Sequence, residues 1–139
     1  MQNSDQVLYT GEIVTVQAIH HVSVVVADTA TALAFYRDIL GLEVSEARPD
    51  LGYAGAWLTI GGGQIHLLEL PNPDAVDGRP AHVGRDRHLA LAVSELSEIS
   101  RTLDRHEIPY TRSRSGREAI FCRDPDGNGV ELIEVSPGG

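Results

Sequence analysis

The chain has 139 residues, 42% of them apolar and 22% charged, which is the composition of one globular domain able to bury a sizeable core. Its formal charge of −9, without a basic run, argues against nucleic acid or an anionic membrane as a partner. A single cysteine excludes a disulfide framework, and the sequence shows neither a signal-peptide pattern nor an apolar stretch long enough to span a membrane, so we expect a cytoplasmic protein.

The first half of the chain predicts one helix among four strands. Residues 1–17 are polar and then weakly alternating, which predicts an N-terminal extension with an added edge strand at most. A β-branched run at 18–26 predicts a buried strand, and the apolar spacing between Asp28, a plausible N-cap, and Gly41, a C-terminal stop, predicts a helix. Three further strands are predicted at 42–45, 53–60 and 64–70, separated by turn residues.

The second half repeats this order after a polar connector at 71–86. A helix capped by Ser94 is predicted after the first strand. The four strands are predicted at 87–93, 109–115, 119–123 and 129–135. We therefore predict a single α+β domain over 18–136, made of two βαβββ modules (18–70 and 87–136). Pseudo-two-fold symmetry pairs the modules into a curved, partly open, barrel-like sheet.

An internal repeat aligns four side chains that can bind metal. Residues 63–70 align with 128–135 at a shift of 65, which places His66 on Glu131. Residues 21–26 align with 88–93, which places His21 on His88. By strand register, Glu131 shares its face with apolar side chains, and an unpaired carboxylate in such surroundings costs several kcal/mol, roughly, unless a cation or hydrogen bonds satisfy it.

Three imidazoles and one carboxylate form a ligand set suited to zinc, nickel, iron(II) or cobalt. The alternative for each residue alone is a structural role, since a histidine on a strand is more often hydrogen-bonded than a ligand. The coincidence at two repeat-equivalent pairs favours a metal site at His21, His66, His88 and Glu131. Glu69 and Glu134 fall on the opposite face and are interpreted as solvated or structural, and His20, His82 and His106 as structural.

A second group of residues is a candidate for binding a small substrate. Its members are the arginines Arg112, Arg114 and Arg117, with Trp57 and Phe121 as pocket walls. Guanidinium groups in an acidic chain suit a carboxylate or phosphate on the substrate. The alternative is a solvated strand face that balances nearby acids.

Four motifs carry a family resemblance: Ile19-His20-His21-Val22, the helix 34–42, the strand 87–93, and Asp124-Pro125-Asp126-Gly127-Asn128 running into 130–134. In these the chain resembles the vicinal oxygen chelate superfamily, which includes glyoxalase I, methylmalonyl-CoA epimerase, extradiol dioxygenases, fosfomycin-resistance enzymes and bleomycin-binding proteins. The resemblance implies the glyoxalase/bleomycin resistance/dioxygenase fold and a divalent transition metal such as Ni, Zn, Co, Fe or Mn. It places the ligands at the same four residues as the repeat does.

The activity that the resemblance favours is that of a metal-dependent isomerase or lyase similar to glyoxalase I. It implies a substrate with vicinal oxygens, possibly a glutathione hemithioacetal, an enediolate stabilised by the metal, and Glu131 as the general base. The chain departs from glyoxalase I at His66, where that enzyme usually has glutamate. Alternatives are an extradiol-type dioxygenase using His21, His88 and Glu131, and a drug-binding or fosfomycin-type resistance protein. Superfamily members build the site within one chain or between two, and we expect a homodimer.

Overall fold

The structure is a computed structural model, and it describes residues 15–136. The predicted N-terminal extension therefore lies outside the described residues, except for residues 15–17. The first module consists of β1 (His21–Val26), α1 (Thr29–Leu33) continuing directly as a π-helical segment (Ala34–Ile39), β2 (Glu43–Val44), β3 (Gly55–Ile60) and β4 (Gly63–Glu69). The second consists of a 3₁₀ turn (Val83–Arg85), β5 (His88–Val93), α2 (Leu96–Arg105), β6 (Thr111–Arg112), β7 (Ala119–Arg123) and β8 (Gly129–Glu134).

Each module forms one four-stranded mixed sheet, and the two sheets have the same strand order. The orders are β1-β4-β3-β2 and β5-β8-β7-β6. In each sheet the first and last strands of the module pair in parallel, and the other pairs are antiparallel. The predicted βαβββ modules and their open sheets are thus confirmed. Among the described residues, no helix is both long and apolar enough to span a membrane.

The hydrophobic core lies on one face of each sheet. Its fully buried residues come from strands and helices of both modules: Val26, Phe35, Tyr36, Leu58, Ile65, Leu67, Leu96, Leu103, Ile120, Cys122, Val130 and Leu132. Since side chains alternate along a strand, the opposite faces carry His21 and His66 in the first sheet, and His88 and Glu131 in the second. Packing of the core therefore leaves the candidate ligands on the other side of each sheet.

The helices begin in two different ways. Asp28 caps α1 as predicted, with its carboxylate accepting a hydrogen bond from Thr31 N at 2.9 Å. The prediction that Ser94 caps α2 is wrong: the N-cap is Glu95, without a side-chain hydrogen bond. The amide of Leu96 donates instead to Glu134 Oε1 at 2.8 Å, because the end of β8 brings that carboxylate to the helix N-terminus.

The repeat-equivalent glutamate performs the same task in the first module. Glu69 Oε1 accepts hydrogen bonds from Thr29 N and Thr29 Oγ1 at 2.8 and 2.9 Å. Glu69 and Glu134 were predicted to be either solvated or structural, and the structure shows that they are structural. Their carboxylates join the last strand of each module to the helix of the same module.

Six of the eight strands are shorter than the sequence predicts, β1 and β6 by the most. The first begins at His21 rather than at residue 18, because its partner β4 begins only at Gly63. The strand predicted at 109–115 is reduced to Thr111–Arg112. Proline at 109 lacks an amide hydrogen for the ladder, and the hydroxyl of Ser113 accepts a hydrogen bond from Ser115 N at 3.2 Å, which turns the chain out of the sheet.

The turn at 124–128 joins the two modules. Asp124 is buried, and its carboxylate accepts hydrogen bonds from Tyr36 Oη at 2.6 Å and from the amides of Asp126 and Asn128. Asn128 Nδ2 also donates to Val25 O at 3.1 Å. Desolvation, followed by the nearby Asp124 carboxylate, raises the pKa of Tyr36 well above its usual value. This turn thus links β7 and β8 to the first strand and helix of the other module.

Candidate metal-binding half-sites

The first sheet carries a column of three aromatic rings. His66 stacks on His21 with ring centroids 4.0 Å apart, and Trp57 stacks on the other side of His66 at 4.4 Å. Trp57 is directly opposite His66 in the β3–β4 ladder, so the backbone register places the rings side by side. His21 and His66 form a pair of possible nitrogen ligands, which we call half-site one.

Hydrogen bonds leave a nitrogen available on each imidazole of half-site one. His66 Nε2 lies 2.8 Å from Gln64 Oε1, an acceptor, so this nitrogen carries the hydrogen and Nδ1 keeps its lone pair. His21 uses Nδ1 toward His20 Nδ1, at 2.9 Å, and its Nε2 is the remaining nitrogen. Burial lowers the pKa of His66, and the neighbouring His21 lowers it further, which favours the neutral imidazole that binds metals.

The second sheet carries a histidine and a carboxylate at the equivalent positions. His88 Nε2 lies 3.1 Å from Glu131 Oε1, and this pair is half-site two. The side chain of Glu131 is only 4% exposed, whereas that of His88 is 24% exposed. The carboxylate therefore sits at the bottom of the sheet face and the imidazole at its rim.

The tautomer of His88 makes this contact unusual. Its Nδ1 lies 2.9 Å from the carbonyl oxygen of Asp86, and because a carbonyl oxygen can only accept, Nδ1 must carry a hydrogen. In a neutral His88, Nε2 then presents a lone pair to a carboxylate oxygen, so two acceptors face each other. A proton or a metal cation between them resolves the conflict, and the Nδ1–carbonyl bond is the contact that commonly orients metal-binding histidines.

The connector contributes a histidine, His82, to the surroundings of half-site two. His82 is buried, its Nδ1 lies 2.6 Å from Thr111 Oγ1, and its ring contacts Phe121 edge-on at 5.1 Å. Phe121 contacts His88 in the same way at 5.3 Å, so it separates the two imidazoles. Burial lowers the pKa of His82, and the guanidinium of Arg114 lowers it further. Phe121 thus borders half-site two, and its role as a substrate-pocket wall stays a prediction.

The three candidate arginines do not form one cluster. Arg117 Nη2 lies 3.3 Å from Glu131 Oε2, so it contacts the predicted ligand rather than standing free for a substrate. Its side chain is 59% exposed, and such a contact is easily exchanged with water. Arg112 and Arg114 are exposed and make no hydrogen bond or ion pair with the rest of residues 15–136.

The two half-sites do not meet within one chain. Among residues 15–136, no group of three or more His, Cys, Asp or Glu side chains is close enough to hold a metal ion. Each sheet thus supplies two candidate ligands, and neither pair gains a third from residues 15–136. His88 also borders a cleft of about 310 Å³ between β1 and β5, whose walls include Ser23 and Asn128.

Sequence reasoning missed three residues near the half-sites: Gln64, His82 and Arg48. Gln64 lies two residues before His66, so the two side chains share one face of β4. This spacing can be recognised in the sequence. His82 and Arg48 lie in loops, and only their long-range contacts reveal them.

With this geometry established, comparison with known proteins identifies the class. Residues 18–132 match the family model of the glyoxalase/bleomycin resistance protein/dioxygenase superfamily. The chain belongs to this superfamily, and the resemblance seen in its motifs is confirmed.

Individual relatives include several activities. The chain is 28% identical to glyoxylase I 4 of Arabidopsis thaliana over 120 residues, covering 83% of this chain and 69% of the relative. It is 30% identical to the mitochondrial methylmalonyl-CoA epimerase of Homo sapiens over 147 residues, covering 96% and 80%. The crystal structure of a lactoylglutathione lyase from Agrobacterium tumefaciens superposes with a TM-score of 0.61 at 28% identity, covering 86% and 95%. At these identities the superfamily is shown and the reaction is not.

Proposed function

We propose that the protein is a metal-dependent lyase or isomerase of the lactoylglutathione lyase type, which acts on a small substrate with vicinal oxygens. The observation that carries this proposal is the contact between His88 Nε2 and the buried Glu131 Oε1 at 3.1 Å, where a proton or a metal cation must lie between the two atoms. A buried carboxylate paired in this way is well suited to a divalent cation.

The donor set fits a transition metal. Three imidazole nitrogens, from His21, His66 and His88, and the Glu131 carboxylate are borderline ligands of the kind that nickel, zinc, cobalt and iron(II) accept. Each ligand has either a free lone pair or a second hydrogen bond that orients it. When bound, the metal would act as a Lewis acid on the substrate carbonyl.

The two half-sites call for a second copy of the chain. In one chain each pair remains two-coordinate, which is too few for a transition metal in a protein. In a two-fold symmetric homodimer, half-site one of each subunit can face half-site two of its partner, and this closes two identical four-ligand sites. The proposed assembly is therefore a homodimer whose metal sites lie at the subunit interface.

Glu131 is the residue best placed to move the proton. Its carboxylate is buried on the face that the substrate would cover, and its second oxygen contacts only the exposed, exchangeable Arg117. As general base, Glu131 would take a proton from the carbon beside the substrate carbonyl and return it to the neighbouring carbon. His88, anchored on the backbone of Asp86, fixes the position from which the carboxylate acts.

Metal analysis combined with subunit mixing tests this proposal. The purified protein is expected to contain about one transition metal per chain, and His66→Ala and Glu131→Ala should each lose it. Refolding the two variants together in equal amounts should restore about a quarter of the metal sites, since half of the dimers are mixed and each mixed dimer has one intact site.

The variants refolded separately are the control, and they should remain free of metal. Recovery on mixing requires that the ligands come from different chains, because neither chain alone has all four. No recovery, together with metal in a monomeric wild type, would place the site within one chain. No metal in the wild type, even after reconstitution, would overturn the proposed activity.

An epimerase is the second candidate, and similarity to the human methylmalonyl-CoA epimerase over 80% of that protein favours it. Both reactions begin with removal of a proton next to a carbonyl, and Glu131 could be the base for that step in either; epimerisation also needs an acid on the opposite face to return the proton. Parallel assays with the hemithioacetal of methylglyoxal and glutathione, and with methylmalonyl-CoA, separate the two. Turnover of only the acyl-CoA would replace the lyase by the epimerase.

A further inference from the structure

Arg48 is a part-buried cation without a carboxylate partner. Its Nη2 donates a hydrogen bond to Tyr53 O at 2.8 Å, and its guanidinium lies over the Tyr53 ring, with Cζ 5.3 Å from the centroid. Its Nε is the one buried side-chain nitrogen or oxygen of residues 15–136 that has no hydrogen-bond partner. No ion pair with Asp or Glu forms at Arg48 within this part of the chain.

This arrangement is unusual because the chain is acidic, with 20 Asp and Glu residues against 11 Lys and Arg residues. Other part-buried arginines of the structure are neutralised: Arg79 and Arg123 share Asp86, at 2.7 and 2.9 Å. A part-buried cation without a paired anion is unfavourable in a folded chain. The position of Arg48 is therefore better explained by an acceptor that comes from outside the chain.

The backbone keeps Arg48 beside half-site one. The guanidinium rests against Gly55, where an added Cβ would lie 3.0 Å from Nη2 and would also collide with Leu67 O. Gly55 and Trp57 are alternate residues of β3 and so lie on one face, about 7 Å apart. Trp57 stacks on His66, so Arg48, Trp57 and half-site one follow one another along the sheet.

We propose that Arg48 binds a carboxylate of the substrate, while the middle of the substrate lies over Trp57 and its vicinal oxygens reach half-site one. The planar guanidinium matches a carboxylate in shape and charge, and the indole offers an apolar surface between the two ends. This inference rests on the proposed function only for the statement that the vicinal oxygens are the end of the substrate that reacts. It defines the substrate class as small carboxylic acids. Their acid group lies about 7 Å from the reacting oxygens, which is the distance between alternate residues of a strand.

Binding of a matched acid and amide to the metal-free protein tests the inference. Trp57 is the only tryptophan of the chain, so its fluorescence reports on ligands at this position. Wild type is expected to bind 3-phenylpropionate about tenfold or more tightly than 3-phenylpropanamide, which has the same shape without the charge. Because metal is omitted, this outcome does not depend on the proposed reaction.

Three variants test whether Arg48 causes the preference for the acid over the amide. Arg48→Gln, which can still donate to Tyr53 O, should lose the preference for the acid while its affinity for the amide stays unchanged. Arg48→Lys keeps the charge without the planar fork and should retain a preference reduced about three- to tenfold. Arg101→Gln, an exposed arginine on α2, is the control and should bind both compounds as wild type does.

The inference is overturned if wild type binds acid and amide equally, or if Arg48→Gln keeps the preference. Circular dichroism and thermal unfolding establish that each variant is folded before it is titrated. If Arg48→Gln does not fold, Arg48→Lys decides: an undiminished preference for the acid contradicts a bidentate guanidinium contact, and a diminished one supports it.

Discussion

The two modules have the same strand order and register, yet their equivalent positions differ in chemistry. His66 in β4 and Glu131 in β8 face the first strand of their module at matching positions, opposite Ser23 and Ala90. The first is part of a stack of aromatic rings, and the second is a buried carboxylate in contact with a histidine and an arginine. The repeated backbone provides two equivalent positions for candidate ligands. Only the position in β8 holds a carboxylate.

The largest expected effect comes from removing that charge. Glu131→Gln is expected to lower kcat for hemithioacetal isomerisation about 10³-fold, because the amide cannot accept the proton. The repeat provides a control, since Glu134 lies in the same strand and caps α2 from the other face. Glu134→Gln keeps an oxygen for Leu96 N and should retain kcat. Equal kcat in wild type and Glu131→Gln would remove Glu131 as the base.

The turns that close the two modules also differ, and Asp124 exists in only one of them. Asp124→Ala leaves Tyr36 Oη and two backbone amides without their acceptor in a buried place, and we expect it to lower the free energy of unfolding by about 3–5 kcal/mol. Urea unfolding followed by circular dichroism measures the change. Tyr36→Phe removes one partner only and should cost about 1–3 kcal/mol. A loss for Asp124→Ala no larger than that of Tyr36→Phe would contradict the bridging role.

A charged group of the connector makes module two sensitive to acid. Hydrogen bonds from Arg79 above all, and also from Arg123, hold the pKa of Asp86 far below its ordinary value. Since the folded-state pKa is depressed, this stabilisation is complete above about pH 4 and is lost as the pH falls further. Asp86→Asn should cost about 2 kcal/mol at pH 7 and progressively less at lower pH.

Urea unfolding at pH 7 and pH 3 measures this difference. Asp74→Asn is the matched control, because Asp74 pairs with Arg87 at the exposed surface and should contribute little at either pH. The same loss for Asp86→Asn at both pH values would show that the ionised carboxylate is not what stabilises the connector.

The smallest expected effect concerns the ends of the two helices. Gly41 ends the first helix with φ 81°, whereas Glu107 occupies the equivalent position after α2 with φ 58°. A backbone hydrogen bond closes each helix just after this residue: Leu42 N donates to Tyr36 O, six residues back, and Ile108 N to Leu103 O, five residues back. Only glycine adopts this conformation without steric cost, so Glu107→Gly should raise stability by about 0.5–1 kcal/mol. Glu107→Ala, which keeps the Cβ, should give no such gain in thermal unfolding.

The strands and the first helix could be predicted because their signals are local. Alternation, turn residues and the capping carboxylate of Asp28 each act within a few residues, and the internal repeat extends them to the equivalence of His66 with Glu131 and of His21 with His88. The contacts of His21 with His66 and of His88 with Glu131 were found only in the structure. The metal ligation of these four residues stays a prediction. The π-helical continuation of α1 was not predicted, because apolar spacing does not separate it from an ordinary helix.

The remaining features depend on contacts between distant parts of the chain. Ser94 has the chemistry of a helix cap, but Glu134, 38 residues away from Leu96, takes that place. Arg117 contacts Glu131, 14 residues away along the chain, and its predicted role in binding substrate stays a prediction. Arg48 lies in a loop, where the sequence has no repeating pattern, and only the folded chain places it against Gly55 and Tyr53. Such contacts follow from the fold and have no local sequence pattern.

The turn at 124–128 has a consequence for how the protein can move. It bonds to β1 through Val25, to the chain after β1 through Ala27, and to the first helix through Tyr36. A hinge between the modules would have to break all three contacts, including one to a buried carboxylate. In the proposed dimer, opening and closing around a ligand would therefore occur as rotation of one whole subunit against the other, with each chain moving as a single body.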